Sequence, residues 1–143
     1  RTSPSDARGA DIAPGTPVTA PIMRLADLGA APLDDLSFRT GASDLSGNDY
    51  PSLVALAAFL AENPARRVVL VGHTDAQGGR DSNIALSRAR AEAVRRHLIE
   101  ELNVNAAQLD AAGIGYLAPR ATNETADGRE ANRRVEVVLL SDG

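Results

Sequence analysis

The sequence predicts an α/β (α+β) two-layer sandwich, in which helices cover one face of a four-stranded mixed sheet with the element order β-α-β-α-β-β. Short aliphatic runs, too short for helices, alternate along the chain with two longer stretches whose apolar residues recur at helical spacing. Two strand-like runs then close the chain without such a stretch between them. The 143 residues, 43% of them hydrophobic, suffice for one domain with its own core.

The first strand is predicted over residues 33–38, and the first helix begins after Asp49. Asn63 and Pro64 end that helix, because a residue before proline disfavours helical backbone. Its apolar residues at helical spacing are Leu53, Leu56, Ala57, Leu60 and Ala61. The strand-helix-strand order predicts that the first two strands are parallel neighbours with a right-handed crossover.

The second strand is predicted from Arg67 to Gly72. It contains the continuous aliphatic run Val68 to Val71, which is typical of a strand buried on both faces. A polar stretch follows, and Asp81 or Ser82 is predicted to cap a long helix that ends near Leu102. The predicted buried stripe of this helix consists of Ile84, Ala91, Val94, Leu98 and Leu102.

The carboxy-terminal part is predicted to add two strands. Asn105 is a candidate cap for one short turn, and a third strand covers residues 109–116, where two glycines indicate a bulge or a close backbone approach. Residues 118–130 are predicted to be a long polar loop, of a length that is often functional. The last strand is predicted over residues 133–140.

The amino-terminal part is predicted to lie outside the folded domain. Residues 1–20 are rich in Pro, Gly, Ser and Thr and have few apolar side chains to bury. Residues 18–28 are more apolar, which leaves a strand or a short helix open. We therefore expect a linker or flexible arm over residues 1–30 and a domain over residues 31–143.

Composition excludes several classes of function. The net charge of −4 disfavours a general nucleic-acid binder, which needs a basic face. The absence of cysteine excludes disulfides, thiol catalysis and thiolate metal sites. The chain has no apolar run of 18 residues, so we expect neither a signal peptide nor a transmembrane helix, as in a mature or excised fragment.

Polar groups converge at the carboxyl end of the second strand. Asp75 follows that strand, and Asn83 and Arg90 lie seven residues apart on nearly the same helix face. Ligands of α/β sheets usually bind at this edge. A carboxylate that holds an ammonium group and a guanidinium that holds a carboxylate together match a zwitterion.

Structural roles are the alternatives for these residues. Asp75 could cap a turn or a helix, and Arg90 could pair with a helix carboxylate or with Asp75 itself. Arg133 and Arg134 are adjacent in a strand and face opposite sides, so at most one of them enters the crevice.

Enzymatic and metal sites find little support in the sequence. His73, Asp75 and Ser87 form a nominal catalytic set, but no G-x-S-x-G nucleophile elbow is present. Asp75, Asp81 and Asn83 lack the spacing of a calcium loop. We expect no catalytic residue, no metal site and no cofactor.

Five motifs occur in order over roughly residues 33–141: GHTD (Gly72 to Asp75), the downstream Gly78 and Asn83, LSxxRA (Leu86 to Ala91), GxG (Gly113 to Gly115) and GRxxNRRVE (Gly128 to Glu136). With these motifs the chain resembles the OmpA-like carboxy-terminal domain family, which binds peptidoglycan. The resemblance implies non-covalent binding of the meso-diaminopimelate residue of the stem peptide. The ligand-binding residues that it implies are Asp75 for the ammonium, Arg90 for the carboxylate, and Asn83, Arg133, Thr74 and Leu86 as further contacts.

The resemblance also implies a cell-wall anchor in the periplasm, associated with the outer membrane or the wall, with any membrane attachment supplied by another part of the protein. The alternative is an assembly or homodimerisation domain of a flagellar-motor or secretion-system complex. Arg39 departs from the acidic or amide residue that many members have after the position of Phe38, which leaves the contribution of the first loop open.

Overall fold

A computed structural model of the protein describes residues 17–45 and 49–140. The strands are β1 (Ala30–Pro32), β2 (Val68–Gly72), β3 (Leu109–Gly113) and β4 (Val135–Leu139). The helices are α1 (Ala20–Met23), α2 (Leu25–Leu28), α3 (Pro51–Glu62), α4 (Arg80–Leu102) and α5 (Ala126–Asn132), with a short 3₁₀ helix at Ala106–Gln108.

The four strands form one mixed sheet in the order β1-β4-β2-β3, which confirms the predicted fold class. β4 is antiparallel to both β1 and β2, and β2 is parallel to β3. The prediction that the first two strands are neighbours is wrong, because the last strand inserts between them. The parallel crossover through a helix instead joins β2 to β3.

The predicted position of the first strand is also wrong, since β1 ends before residues 33–38 begin. Leu33, Leu36 and Phe38 are buried, as their apolar character indicated, but they lie in an irregular segment. The Leu36 N–H donates to the Leu33 carbonyl in a turn, and the Asp35 carboxylate accepts from Ser52 at the start of α3. Leu33 N still donates to Val135 O of β4 at 3.1 Å, whereas Leu36 and Phe38 are buried outside any strand.

α4 packs on β2 and β3 and also contacts α3, so the two long helices form the second layer. The core between the layers is aliphatic, with Leu56, Leu70 and Val94 fully buried. The buried stripe of α4 begins with polar residues, however, and includes Asn83, Ser87 and Arg90 before the aliphatic Ala91, Val94 and Leu98. The first half of this helix thus directs polar side chains inward, toward the site.

Two glycines allow α4 to approach the sheet closely. A Cβ atom on Gly72 would overlap the Ser87 carbonyl, and one on Gly113 would overlap the Arg88 backbone nitrogen. The Ser87 hydroxyl donates to Ile84 O at 2.8 Å and accepts from Gly115 N at 2.9 Å. The predicted close backbone approach at the GxG motif is therefore confirmed.

α4 begins one residue before the predicted cap. Its N-cap is Gly79, with extended backbone and no side-chain capping bond. The Ser82 hydroxyl donates back to the Gly79 carbonyl at 3.1 Å instead of accepting from the first turn. The predicted cap at Asp81 or Ser82 is therefore wrong, whereas Asn105 does cap the 3₁₀ helix through Ala107 N at 3.0 Å.

The predicted polar loop of residues 118–130 contains the start of α5. The Thr125 hydroxyl caps this helix by accepting from Gly128 N at 3.0 Å. Gly128 is buried where a side chain would overlap the Thr122 carbonyl. The helix thus folds back tightly against the loop that precedes it.

Residues 17–30, which include α1 and α2, contact the domain. Ile22 is 2% exposed and Leu25 is fully buried, and both belong to the core. The domain boundary predicted near residue 30 stays a prediction, and residues 1–16 of the predicted arm lie outside the described residues.

Across residues 17–45 and 49–140, none of the helices combines the length and the apolar character needed to cross a bilayer.

Candidate functional site

The site lies where the chain leaves β2, and its centre is Asp75. The Asp75 side chain is buried, with 3% of the residue exposed. One carboxylate oxygen, Oδ1, accepts from Gln77 N at 3.1 Å and so closes a local turn. The other oxygen, Oδ2, accepts from Arg133 Nη1 at 2.9 Å. Asp75 therefore has the turn-closing role that the sequence allowed and an ion pair as well.

Arg133 is the ion-pair partner of Asp75. It follows the last residue of α5, and its Nε donates to the Phe38 carbonyl at 3.0 Å. About 15% of its side chain is exposed, compared with 5% for Asp75. Charge-assisted hydrogen bonds of this length are the strong kind. The predicted choice of Arg133 for the crevice is consistent with this contact.

Arg90 is fully buried and bonds to backbone carbonyls rather than to Asp75. Its Nε donates to Ala42 O at 2.8 Å, Nη1 to His73 O at 3.2 Å and Nη2 to Arg39 O at 3.0 Å. The guanidinium carbon also lies 5.1 Å from the centre of the Phe38 ring, a cation–π distance. The alternative that Arg90 forms a salt bridge is therefore wrong for this structure.

The electrostatics of the Arg90 guanidinium follow from this setting. Burial, with the nearby Arg133 charge adding to it and Asp75 opposing it, lowers the pKa of Arg90 to about 10. The guanidinium remains protonated at neutral pH. Among the described residues, Arg90 and Arg133 thus act on each other and on the carboxylate of Asp75, so two positive charges and one negative charge lie close together here.

Asn83 and Thr74 line the same region in different ways. Asn83 is 5% exposed, and its Nδ2 donates to Gln77 O at 2.8 Å and Gly79 O at 3.0 Å, which holds the turn between β2 and α4. The Thr74 hydroxyl is buried without a hydrogen-bond partner in the described part of the chain. Buried hydroxyls are normally satisfied, so the missing partner of this oxygen is an exception in the site. Leu86 is half-buried on α4.

A cleft of about 270 Å³ opens beside Arg133. It lies between the irregular segment after β1 and helix α5, and Phe38, Asp127 and Glu130 are among its lining residues. The predicted site residue that borders it is Arg133, which connects the cleft to Asp75. No three His, Asp or Glu side chains of the described chain gather into a group that could hold a metal ion.

Arg134, which like Arg133 precedes β4, also lines this cleft, so the predicted alternation of the two arginines within a strand is wrong. Arg134 is buried, and its Nε donates to Glu136 at 2.6 Å while Nη2 donates to Ala118 O at 3.1 Å. His73 lies opposite Arg134 in the β2–β4 ladder and is 4% exposed, with neither ring nitrogen hydrogen-bonded within the described residues.

Asn123 and Asn132, which connect the site loops, are not among the site residues predicted from the sequence. Asn132 is fully buried, and its amide donates to the Asn123 side chain at 2.9 Å. The Asn123 oxygen also accepts from Ala76 N at 3.1 Å, next to Asp75. The available signal was the position of Asn132 directly before Arg133 in the GRxxNRRVE motif.

Comparison with protein families places these residues in a known context. The model of the OmpA family matches residues 37–133, which include every predicted site residue. Outer membrane porin F of Pseudomonas aeruginosa is 37% identical over 108 residues, covering 76% of this chain and 31% of that protein. Peptidoglycan-binding protein ArfA of Mycobacterium tuberculosis is 34% identical over 127 residues, covering 88% and 39%.

The fold is similar to that of the peptidoglycan-associated lipoprotein from Burkholderia pseudomallei, with a TM-score of 0.68 and 31% identity. The match covers 73% of this chain and 88% of that chain. By contrast, the chain spans 31% and 39% of the lengths of the two curated relatives.

We expect Arg90→Ala to destabilise the fold by about 3 kcal/mol or more, because one buried and two partly buried carbonyls lose their donor and a cavity forms. The matched control is Arg88→Ala on the same helix, which removes an exposed salt bridge to Glu92 and costs less than about 0.5 kcal/mol. Urea denaturation measures both values. Equal stability of the two variants would contradict the buried geometry of Arg90.

The His73 pKa predicts a loss of stability in acid. Burial, with Arg134 and Arg120 adding to it and Glu136 opposing it, lowers the His73 pKa from 6.5 to about 4. As the pH falls from 6.5 toward 4, the unfolded chain takes up the proton first, and the free energy of unfolding drops by up to about 1.4 kcal/mol per pH unit. Above pH 6.5 this contribution is constant.

Urea titrations of the parent and of His73→Leu, at several pH values in this window, measure the effect. Carboxylate titrations are common to both proteins, so the difference between the two slopes reports His73 alone. We expect a shallower pH dependence for His73→Leu. An identical slope would show that His73 is protonated equally easily in the folded and unfolded states.

Proposed function

Because the chain belongs to the OmpA family, we propose that this domain binds peptidoglycan non-covalently and anchors a bacterial envelope protein to the cell wall. A relative named as a peptidoglycan-binding protein and a solved structure named as a peptidoglycan-associated lipoprotein support the proposal. The domain works in the periplasm, in association with the outer membrane or the wall. Its action is binding without catalysis.

The ligand group that we propose is the amino-carboxylate head of meso-diaminopimelate in the stem peptide. The observation that carries this assignment is the charge of the site, where Arg90 and Arg133 act across the single carboxylate of Asp75. A bound carboxylate offsets the excess positive charge, and Asp75 holds the ammonium group of the same head. A ligand with both groups therefore fits this site better than a simple cation.

The further residues of the proposed site have supporting roles. Arg133 borders the cleft and shares the ligand carboxylate with Arg90, while the unpaired Thr74 hydroxyl supplies one polar contact. Asn83 fixes the turn that carries Asp75. Leu86 provides apolar surface beside the head group.

Arg90 binds the ligand only after the first loop has released it. The carbonyls of Arg39 and Ala42 occupy two of its nitrogens, and Ala42 N also donates to Arg39 O, which closes a tight turn. Gly41 in that turn has φ +76°. A ligand carboxylate thus replaces two backbone carbonyls as the acceptor for the guanidinium, and charge-assisted bonds favour this exchange.

The first test is calorimetric titration of Asp75→Asn and of the parent with meso-diaminopimelate, with lysine as the ligand that lacks the second carboxylate. We expect the parent to bind meso-diaminopimelate and not lysine. The variant keeps the shape of the side chain but loses its charge, so its affinity should fall by about thirtyfold or more.

Asp110→Asn is the matched control, since Asp110 is an exposed aspartate near the start of β3, away from the carboxyl end of β2. It should bind like the parent. A pull-down assay with isolated sacculi then tests peptidoglycan binding separately from recognition of the diaminopimelate head group. Sacculus binding without diaminopimelate binding would contradict the head-group assignment, and the absence of both would contradict peptidoglycan binding.

If the first loop must release Arg90 before the ligand binds, a substitution that strains this loop should strengthen ligand binding. Alanine in a left-handed backbone conformation costs about 1 kcal/mol, so Gly41→Ala destabilises the closed loop that the ligand opens. We expect about fivefold tighter binding of meso-diaminopimelate. Gly29→Ala is the matched control: Gly29 has φ +80°, and, as at Gly41, an added Cβ meets no atom within 4 Å.

Both glycine variants should lose similar stability, while the affinity of Gly29→Ala should remain that of the parent. Weaker binding by Gly41→Ala would show that the loop conformation seen here is the one that binds the ligand.

A further inference from the structure

Asn132 uses its complete hydrogen-bonding capacity inside the protein. Its Oδ1 accepts from Arg120 N at 2.8 Å and from Ala121 N at 3.0 Å. Its Nδ2 donates to Ala121 O at 2.9 Å and to Asn123 Oδ1 at 2.9 Å. An amide side chain has two donors and two acceptor sites, and all four are satisfied. Asn132 therefore fixes the loop before α5 at one end of that helix.

Asn123 extends this connection to the other side of the site. The same Oδ1 atom that accepts from Asn132 also accepts from Ala76 N at 3.1 Å. Ala76 follows Asp75 directly, and Asn132 precedes Arg133 directly. The two amides therefore link Ala76, the neighbour of Asp75, to Asn132, the neighbour of Arg133. The Asp75–Arg133 ion pair closes this chain of contacts into a ring.

We propose that Asn123 and Asn132 are positioning residues that set the separation of Asp75 and Arg133 for the ligand head group. The inference rests on the function proposed above, because it assigns residues to the same site. Asn123 bonds to the backbone N–H beside Asp75, and Asn132 adjoins Arg133 in the chain, so neither amide occupies the carboxylate or the guanidinium. A charged pair that binds a small zwitterion has to be held within about 0.5 Å of its productive geometry.

The sheet and the aliphatic core do not contain this bridge. Ala76 is exposed, so its N–H can bond to water when Asn123 is shortened. Asn123 is half-buried, in a loop outside the strands. Loss of the bridge should therefore change the geometry of the site more than the stability of the fold.

Two substitutions at one position separate positioning from general destabilisation. Asn123→Ala removes the shared acceptor, whereas Asn123→Asp keeps an oxygen in its place. The added charge of the aspartate is offset in part by the nearby Arg129, whose Nη1 donates to the main-chain carbonyl of Asn123 at 3.1 Å. Asn105→Ala is the matched control, because it removes an asparagine–backbone bond at the start of β3, at the opposite end of the sheet.

The measurements are calorimetric titration with meso-diaminopimelate, urea denaturation, and NMR of the Ala76 amide and the Arg133 Nε–H in the free protein. We expect Asn123→Ala to bind about tenfold more weakly, the equivalent of one hydrogen bond, and Asn123→Asp to recover most of that loss. The Ala76 amide should exchange faster in Asn123→Ala than in Asn123→Asp. Asn105→Ala should change neither affinity nor these signals.

The proposal would be overturned if folded Asn123→Ala bound like the parent with unchanged NMR signals, or if Asn123→Asp were as weak as Asn123→Ala. If the parent itself binds no diaminopimelate, the head-group assignment fails. The NMR signals of the free protein then still decide whether the two amides position Asp75 and Arg133.

Discussion

The buried guanidinium of Arg90 is the interaction on which the site depends. It donates to carbonyls of Arg39 and Ala42 in the first loop and of His73 at the end of β2. A charge without solvent is costly unless its donors are satisfied, so these segments are held where their carbonyls meet one side chain. The helix that carries Arg90 can reach them because Gly72 and Gly113 let α4 approach the sheet closely.

This arrangement has an electrostatic consequence for binding. Backbone carbonyls satisfy the hydrogen bonds of Arg90 but supply no negative charge, and the carboxylate of Asp75 is bonded to Arg133. The site is therefore stable without ligand and still favours an added anion. Asp75 contributes the opposite charge beside it, which gives the site two signs within one small region. Those features are the basis of the proposal that the ligand is a zwitterion.

The sequence predicted the elements correctly where the pattern of a single chain segment is enough to specify a helix or a strand. The helical spacing of Leu53, Leu56 and Leu60 and the aliphatic run of β2 located α3 and β2 to within one or two residues. Errors arose where partners lie far apart in the chain. The insertion of β4 between β1 and β2 depends on pairing between residues about 70 positions apart, which local patterns do not encode. Leu33, Leu36 and Phe38 are buried apolar residues, but burial alone does not specify a strand.

At the site, local patterns were enough to predict which side chains gather at the carboxyl end of β2, because one strand and one helix carry Thr74, Asp75, Asn83 and Arg90. Their hydrogen-bond partners depend on tertiary packing. Asp75 pairs with Arg133, which is 58 residues away, and Arg90 pairs with carbonyls 48 and 51 residues away in the first loop. Backbone carbonyls carry no sequence signature, since every residue has one. The packing of α4 and α5 therefore determines that Arg133, and not Arg90, bonds to the Asp75 carboxylate.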